Sequence, residues 1–346
     1  MSVASALVVA ALARGVVDTI ASPALVARFA GRRLAGYGRS RWRGLVRAVP
    51  AGRSVTLTEP AGHKETGTMF SNLSPGAVGL GGSAAEILAA AKTAGFGGVE
   101  LLGGLPPAAL RELYSQHGLQ VGTMGLPVEF RKDQTTYEQS LAGLRAAAQE
   151  AAATGCTRCA TWLLPFSDAL PYVENFRLHV DRLRPAAAVL GEFGIRLGLE
   201  YVGPQTMRQG HRHDFVHTLP QLLELCGAIG TGNVGLLLDS WHWYTAHESV
   251  ADLLRLDNRL VVQVHVNDAP SGIAVDQQQD SVRELPGATG VIDIGGFLKS
   301  LAAMGYDGPV TPEPFCAALR ELPREALAAK VGASMQRIWQ IAGLAR

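Results

Sequence analysis

Cysteine is scarce in this chain, and its pattern closes off two classes of protein. Cys156 and Cys159 form one Cys-x-x-Cys in GCTRCATW, while Cys226 and Cys316 stand alone. A structural zinc site of the thiolate type needs a second pair at matching spacing, and nothing in the pattern calls for an oxidising compartment. Cys156 and Cys159 are therefore expected as small buried residues at the start of a strand. Long apolar runs are missing too. The run ASALVVAALARGVV near the N-terminus falls short of the roughly 18 to 20 residues of a membrane span and has no basic segment before it. Neither an anchor nor a secretory signal is expected, and the cytoplasm is the expected location. No GxGxxG turn follows the first expected strand, so a dinucleotide site has no support.

An excess of one charge is also lacking overall: 31 Lys and Arg stand against 30 Asp and Glu, for a net +1. The distribution is uneven. Residues 1–68 hold nine Arg and one Lys against Asp18, Glu59 and Glu65, which leaves the remainder mildly acidic. An acidic body gives no footing to a nucleic-acid partner, and none is expected. Within the basic part, RFAGRRLAGYGRSRWRGLVRAVPAGR has no acidic residue and no sustained core periodicity. Residues 1–68 are read as a poorly ordered extension outside the chemistry and outside the mature fold, and residues 69–346 as one domain.

From about residue 74 a single rhythm runs to the end, in which an apolar run, a Gly/Pro or polar turn and an Ala/Leu-rich helical stretch alternate. SPGAVGLG precedes SAAEILAAAKTAG, GGVELLGG precedes PPAALRELYSQHG, and LQVGTMGLP precedes YEQSLAGLRAAAQEAAATG. CATWLLP, RLGLEYVGP, VGLLLD, LVVQVHV and PVTPEPF follow, each with its own helical partner. Apolar strands alternating with amphipathic helices imply a parallel sheet covered by helices, and eight such units match a closed (β/α)8 TIM barrel. Gly95, Gly118, Gly155, Gly194, Gly230 and Gly305 stand near the ends of helical runs, where a left-handed cap favours glycine.

Barrel active sites assemble from side chains at the carboxyl ends of several strands. In this chain those positions hold Glu100 on the second strand, Trp162 on the fourth, Glu200 on the fifth, Asp239 on the sixth, His265 on the seventh and Glu313 on the eighth. Glu200, Asp239, His265 and Glu313 are metal-ligand types on four successive strands. Three oxygens and an imidazole, with no thiolate, suit one divalent ion: Mn²⁺ first, with Mg²⁺, Co²⁺ or Zn²⁺ compatible. Two loops add candidates. QTMRQGHRHDFVHT brings Arg208 and His211 to the mouth after the fifth strand, and DAPSGIAVDQQQDSVRELPGATGVID is long for a connection between a strand and a helix.

GLEYVGP, LLLDSWHW, VHVND and VTPEPF, in this order and spacing, resemble the sugar isomerase/epimerase family with the xylose-isomerase-like TIM barrel. The resemblance covers about residues 74–346. It implies a single divalent metal on Glu200, Asp239, His265 and Glu313, with Glu200 and Glu313 passing protons and His242, three residues after Asp239, contacting substrate or moving protons. An Arg-x-Leu-Pro-Gly segment like one that family members often carry makes Arg283 a candidate for substrate binding; by position at strand ends and in the loops, Glu100, Trp162, Arg208 and His211 are further candidates, and Trp241 and Trp243 are candidates for an apolar wall against a sugar ring. The implied activity is isomerisation or epimerisation of a keto sugar or related polyol by proton transfer alpha to its carbonyl. Lyases and dehydratases of the same barrel, acting on keto-cyclitols, dehydroshikimate or 3-keto-glycosides, are the alternative within the family. A metal-binding scaffold or sensor subunit is the alternative outside catalysis. A small-molecule sugar or polyol is the expected partner, without membrane or nucleic acid, and a homo-oligomer or a small partner subunit is compatible. An apurinic-site endonuclease needs further histidines at the ends of the second and third strands, and VELLGG and TMGLP supply none.

Overall fold

The structure is a computed structural model that describes residues 68–344. All of the expected N-terminal extension except Thr68 lies outside the described residues. Strand β1 (Phe70–Leu73) precedes the SPGAVGLG stretch in which it was expected. That stretch instead forms α1 (Pro75–Val78), because Ser74 accepts the Ala77 N–H, Pro75 supplies a preset φ at the first helical position, and Gly79 closes the turn at φ 79°.

The remaining strands are β2 (Gly98–Val99), β3 (Gln120–Val121), β4 (Thr123–Gly125), β5 (Arg158–Trp162), β6 (Phe166–Ser167), β7 (Arg196–Glu200), β8 (His213–Asp214), β9 (Val234–Asp239), β10 (Val261–Val266) and β11 (Pro309–Pro312). Nine of the eleven form one sheet in the order β3-β2-β1-β11-β10-β9-β7-β5-β4, with every pairing parallel. The two ends of that order are halves of one strand, interrupted only at Gly122. β3 bonds to β2 and β4 bonds to β5, so the sheet closes on itself through this strand. Eight strand positions with helices between them make the (β/α)8 barrel that the sequence rhythm implies. Gly122 leaves no room for a side chain inside the barrel, since a Cβ there would collide with the side chain of Asn72. β6 and β8 pair with each other, antiparallel, above the carboxyl ends of β5 and β7.

The long helices bury one face each. In α4 (Gln134–Thr154) the buried residues Tyr137, Leu144, Ala148 and Ala151 recur at helical spacing, and Asp133 caps the start by accepting the Thr136 N–H. All six glycines expected to end helices have positive φ, between 59° and 104°. The sixth unit departs from expectation: in place of one helix after β9, α7 (Ser240–Thr245) starts directly at the strand end and α8 (Val250–Leu253) follows. Asp239 is the cause, because its carboxylate accepts the Trp241 N–H at 2.6 Å and turns the chain at once into a helix. Cys156 and Cys159 are free and buried. Among the described residues no helix is long and apolar enough to cross a membrane. A cavity of about 850 Å³, lined by Phe70, Gly97, Gln120, Tyr306 and Trp339, opens at the amino ends of the strands, opposite the expected site.

Glu248, between α7 and α8, ties the sixth unit to the fifth. It accepts the Tyr201 hydroxyl at 2.5 Å and the Leu219 N–H at 2.6 Å, and so caps a helix whose own N-cap, Thr218, makes no side-chain bond. Burial pushes its carboxyl up to about 7 against hydrogen bonds that favour the charged form. Folded Glu248 holds its proton to about 7 while the unfolded chain releases it near 4.5, so across that interval the folded state binds more protons. Stability contributed by this group is present at low pH and falls as pH rises through about 7. Urea unfolding at stepped pH should show a decline on the order of 2 kcal/mol in wild type that Glu248→Gln lacks, since a tenfold difference in proton affinity is worth about 1.4 kcal/mol; equal slopes in both proteins would contradict this role.

Candidate metal centre

The carboxyl ends of neighbouring strands deliver four ligand types to one point. Register pairs His265 on β10 with Asp239 on β9, and Trp162 on β5 with Glu200 on β7. Glu313 follows β11 and extends its ladder by donating its N–H to Val266 O at 3.0 Å. One ligand atom from each of Glu200, Asp239, His265 and Glu313 falls within 4.8 Å of the others. His265 Nδ1 lies 3.5 Å from Glu200 Oε1 and 3.4 Å from Glu313 Oε2. Asp239 has its Oδ1 occupied by the Trp241 N–H and by Asn267 Nδ2 at 3.0 Å, so Oδ2 is the oxygen that faces the others.

The donor set fits a divalent cation. Glu200 Oε1 and His265 Nδ1 are buried and have no hydrogen-bond partner. An unpaired buried polar atom is costly, and two facing each other across 3.5 Å share one remedy, a cation between them. To present a lone pair at Nδ1, His265 must carry its proton on Nε2, which sits 3.0 Å from the side-chain amide of Gln263. The atom of Gln263 nearest the ring is Nε2, which also donates to Glu100 Oε1 at 3.5 Å, so a lone pair at Nδ1 requires the amide to turn its oxygen to the ring instead. The pKa directions of these groups reflect the same crowding of buried negative charge. Burial pushes Glu200 up to about 8. Burial alone would lower the His265 imidazole, but Glu313 and Glu200 raise it well above its ordinary value. Burial likewise opposes ionisation of Glu313 and Asp239, yet both stay below the usual carboxylate range, Glu313 through His265 and then Arg283, Asp239 through Arg283 and then His242.

His242 stands at the edge of the centre, with Nε2 3.9 Å from Asp239 Oδ2. Its Nδ1 accepts the Gly203 N–H at 3.2 Å, which places the proton of the neutral ring on Nε2. Burial lowers its pKa and keeps the ring neutral. Arg283 Nη2, 3.4 Å from Nε2, then stands beside an N–H and makes no hydrogen bond to it. Arg283 instead bonds through Nη1 to Asp239 Oδ2 at 2.9 Å and Glu313 Oε2 at 3.0 Å, and through Nη2 to Asp280 Oδ1 at 2.9 Å.

The other sequence candidates fall in different places. Glu100 is half-buried at the end of β2, where it accepts the Ser74 hydroxyl at 2.6 Å, and desolvation of its carboxyl raises its pKa. Trp162 is 43% exposed beside Glu200, with the Arg131 guanidinium 4.4 Å from its ring centroid. Trp241 is fully buried beneath the Arg283 guanidinium, while Trp243 donates to Ser249 O and packs on Phe297. Arg208 donates to Gly203 O and Pro204 O within its own loop, while His211 stacks on Phe166 and bonds Asp168 of the connection after β5.

Several contributors escaped the sequence reading. Asp280 anchors Arg283, Gln263 orients His265, and Phe315 lays its ring 4.5 Å from the Arg283 guanidinium on a strained backbone at φ 42°. Asp268 folds the long loop after β10: its two oxygens accept the N–H groups of Ala269, Thr289, Gly290 and Ile292, and its backbone pairs with Glu284, next to Arg283. Asp268 was visible in VHVND, but a carboxylate that binds only backbone leaves no charge partner for sequence to suggest. Gly203 is held by contact with α7, because a Cβ would strike the His242 carbonyl and the Thr245 hydroxyl. Gly203→Ala should therefore cost about 2 kcal/mol or more in urea unfolding and release His242 Nδ1 from its donor; a variant as stable as wild type would show that α7 yields freely.

Known proteins share this framework. Residues 88–338 match the family described as xylose isomerase-like TIM barrel. Inosose isomerase of Bacillus velezensis is 27% identical over 168 residues, which is 45% of this chain and 56% of that protein. The chain thus spans little more than half the length of that relative. A 3-dehydroshikimate dehydratase of Pseudomonas aeruginosa is 31% identical over 151 residues, 43% of this chain and 22% of that protein. Among solved structures, a xylose isomerase domain protein from Alicyclobacillus acidocaldarius superposes with a TM-score of 0.69 at 30% identity, covering 80% of this chain and all of that one. A family match over most of the described barrel, and this superposition, establish that the chain belongs to the xylose isomerase-like TIM barrel family.

Proposed function

We propose that this chain is a divalent-metal-dependent isomerase or epimerase that moves a proton alpha to the carbonyl of a keto sugar or keto-polyol. The observation that carries the reading is the convergence of Glu200, Asp239, His265 and Glu313 within 4.8 Å, with two of their buried atoms left unpaired. Glu200, Asp239, His265 and Glu313 would hold the ion, and three oxygens with one nitrogen favour Mn²⁺. When bound, such an ion supplies a Lewis acid that polarises a carbonyl and acidifies the neighbouring C–H.

The chain's own groups do the rest. Glu200 and Glu313 approach the centre from β7 and β11 and serve as the pair that takes and returns the proton. His242, neutral with its proton on Nε2, donates to a substrate oxygen. Arg283 offers a second, permanent donor, and Glu100 and Trp162 bound the substrate at the second and fourth strands. The named activity of the Bacillus velezensis relative supports a keto-cyclitol as substrate. The relative from Pseudomonas aeruginosa supports a second reading, in which the same proton abstraction is followed by loss of water.

Metal analysis after dialysis against Mn²⁺ should find about one equivalent per folded chain, lost in Glu313→Gln. Incubation of the loaded protein with an inosose in deuterium oxide should then place deuterium alpha to the carbonyl. A product of unchanged mass apart from deuterium identifies an isomerase, and loss of water identifies a dehydratase. Wild-type protein that retains no metal would sink the reading.

A further inference from the structure

Arg283 holds an unusual place for a substrate-binding residue. Its Nη1 donates to Asp239 Oδ2 and to Glu313 Oε2, at 2.9 and 3.0 Å, and the second of these oxygens also lies 3.4 Å from His265 Nδ1. Asp239 has no other free oxygen, since Oδ1 is bonded by Trp241 and Asn267. A single nitrogen of a permanent cation therefore bridges two members of the four-residue set and occupies the one free oxygen of Asp239. We propose that Arg283 is the resident cation of the metal-free centre and competes with a divalent ion for Asp239 and Glu313.

The surroundings suit that task. Arg283 is fully enclosed, with its guanidinium between the buried ring of Trp241, 5.3 Å away, and the half-exposed ring of Phe315, 4.5 Å away. Cation–π attraction to these two rings holds the guanidinium without a directional bond to either. Its other end is tied outside the four-residue set: Nη2 bonds Asp280 Oδ1 and Nε bonds Asp280 O. The arginine can thus give up Asp239 and Glu313 while Asp280 retains it. Two consequences follow from charge alone. Without metal, the guanidinium offsets buried carboxylates that would otherwise repel one another, so the barrel folds without an ion. With metal, a unit positive charge a few ångströms away weakens binding of the ion, and the released Nη1 becomes a donor beside the reacting centre.

This inference rests on the metal reading, and the experiment separates the two. Mn²⁺ is titrated calorimetrically into metal-free wild type, Arg283→Met and Arg283→Lys, and thermal unfolding is recorded with and without Mn²⁺. Arg283→Met should bind Mn²⁺ at least about tenfold tighter than wild type and gain more thermal stability from the ion, while Arg283→Lys, which keeps the charge, stays near wild type. A folded Arg283→Met that binds no tighter than wild type overturns the inference and leaves the metal centre standing. No binding to wild type or to Arg283→Met removes the metal reading, and this inference with it. If Arg283→Met folds in neither condition, crystals of wild type with and without Mn²⁺ decide. Nη1 still within hydrogen-bond distance of both oxygens in the Mn²⁺ form overturns the competition, and its departure from either upholds it.

Discussion

Buried negative charge without enough positive charge is the constraint around which the mouth of this barrel is organised. Glu200, Asp239 and Glu313 are brought together by parallel register, and Asp280 stands just behind them. A carboxylate out of water is costly unless it is paired, and in this centre the protein supplies one permanent cation, Arg283, and one titratable one, His265. The loop after β10 exists in its observed form to deliver that arginine. Asp268 folds the loop by gathering four backbone N–H groups, pairing with Glu284 fixes the position next to Arg283, and Asp280 holds the far end of the guanidinium. Remove any of these and the carboxylates face each other with less to offset them.

A related constraint governs the two histidines. Both must expose one particular nitrogen, and in each case a neighbour of the opposite hydrogen-bonding sense decides which. Gly203 donates to His242 Nδ1, so the proton of that ring points from Nε2 toward the centre. On the proposed reading, Gln263 turns its amide oxygen to His265 Nε2 and leaves the lone pair at Nδ1 for the ligand cluster. One ring is thereby prepared to donate and the other to coordinate, from the same side chain, by partners two strands apart. The backbone makes this possible: Gly203 approaches α7 more closely than any residue with a Cβ, and Asp239 starts α7 by capping it.

Much of this was legible in the sequence, for reasons that also explain what was not. Glu200, Asp239, His265 and Glu313 could be found because each ends or follows a near-continuous apolar run, and a parallel barrel gives such positions one direction to face. The eight-unit rhythm survived the misplacement of β1, since Ser74 and Pro75 are start signals for a helical turn and FSNL is too short and polar to announce a strand. Trp241 and Trp243 looked like candidates for the pocket wall because aromatics near a ligand invite that reading; α7 turns Trp241 under Arg283 and Trp243 toward Phe297. Asp280, Gln263 and Phe315 were not legible, because their importance lies in which atom they touch. Periodicity reports burial and facing, and does not report hydrogen-bond sense.

That distinction bears on why one barrel serves isomerases and dehydratases alike. On the proposed reading, proton abstraction beside a polarised carbonyl draws on the four strand-end residues, which the parallel framework positions. What happens to the electron pair next depends on whether a neighbouring oxygen receives a proton and leaves, or keeps its bond while the proton returns to carbon. On the proposed reading, the groups able to tip that balance are His242 and Arg283, and both are placed by elements outside the strands: a one-turn-and-a-half helix capped by Asp239, and a long loop pinned by Asp268. The chemistry common to the family is therefore written in the barrel, and the outcome in the donors that the connections bring to it.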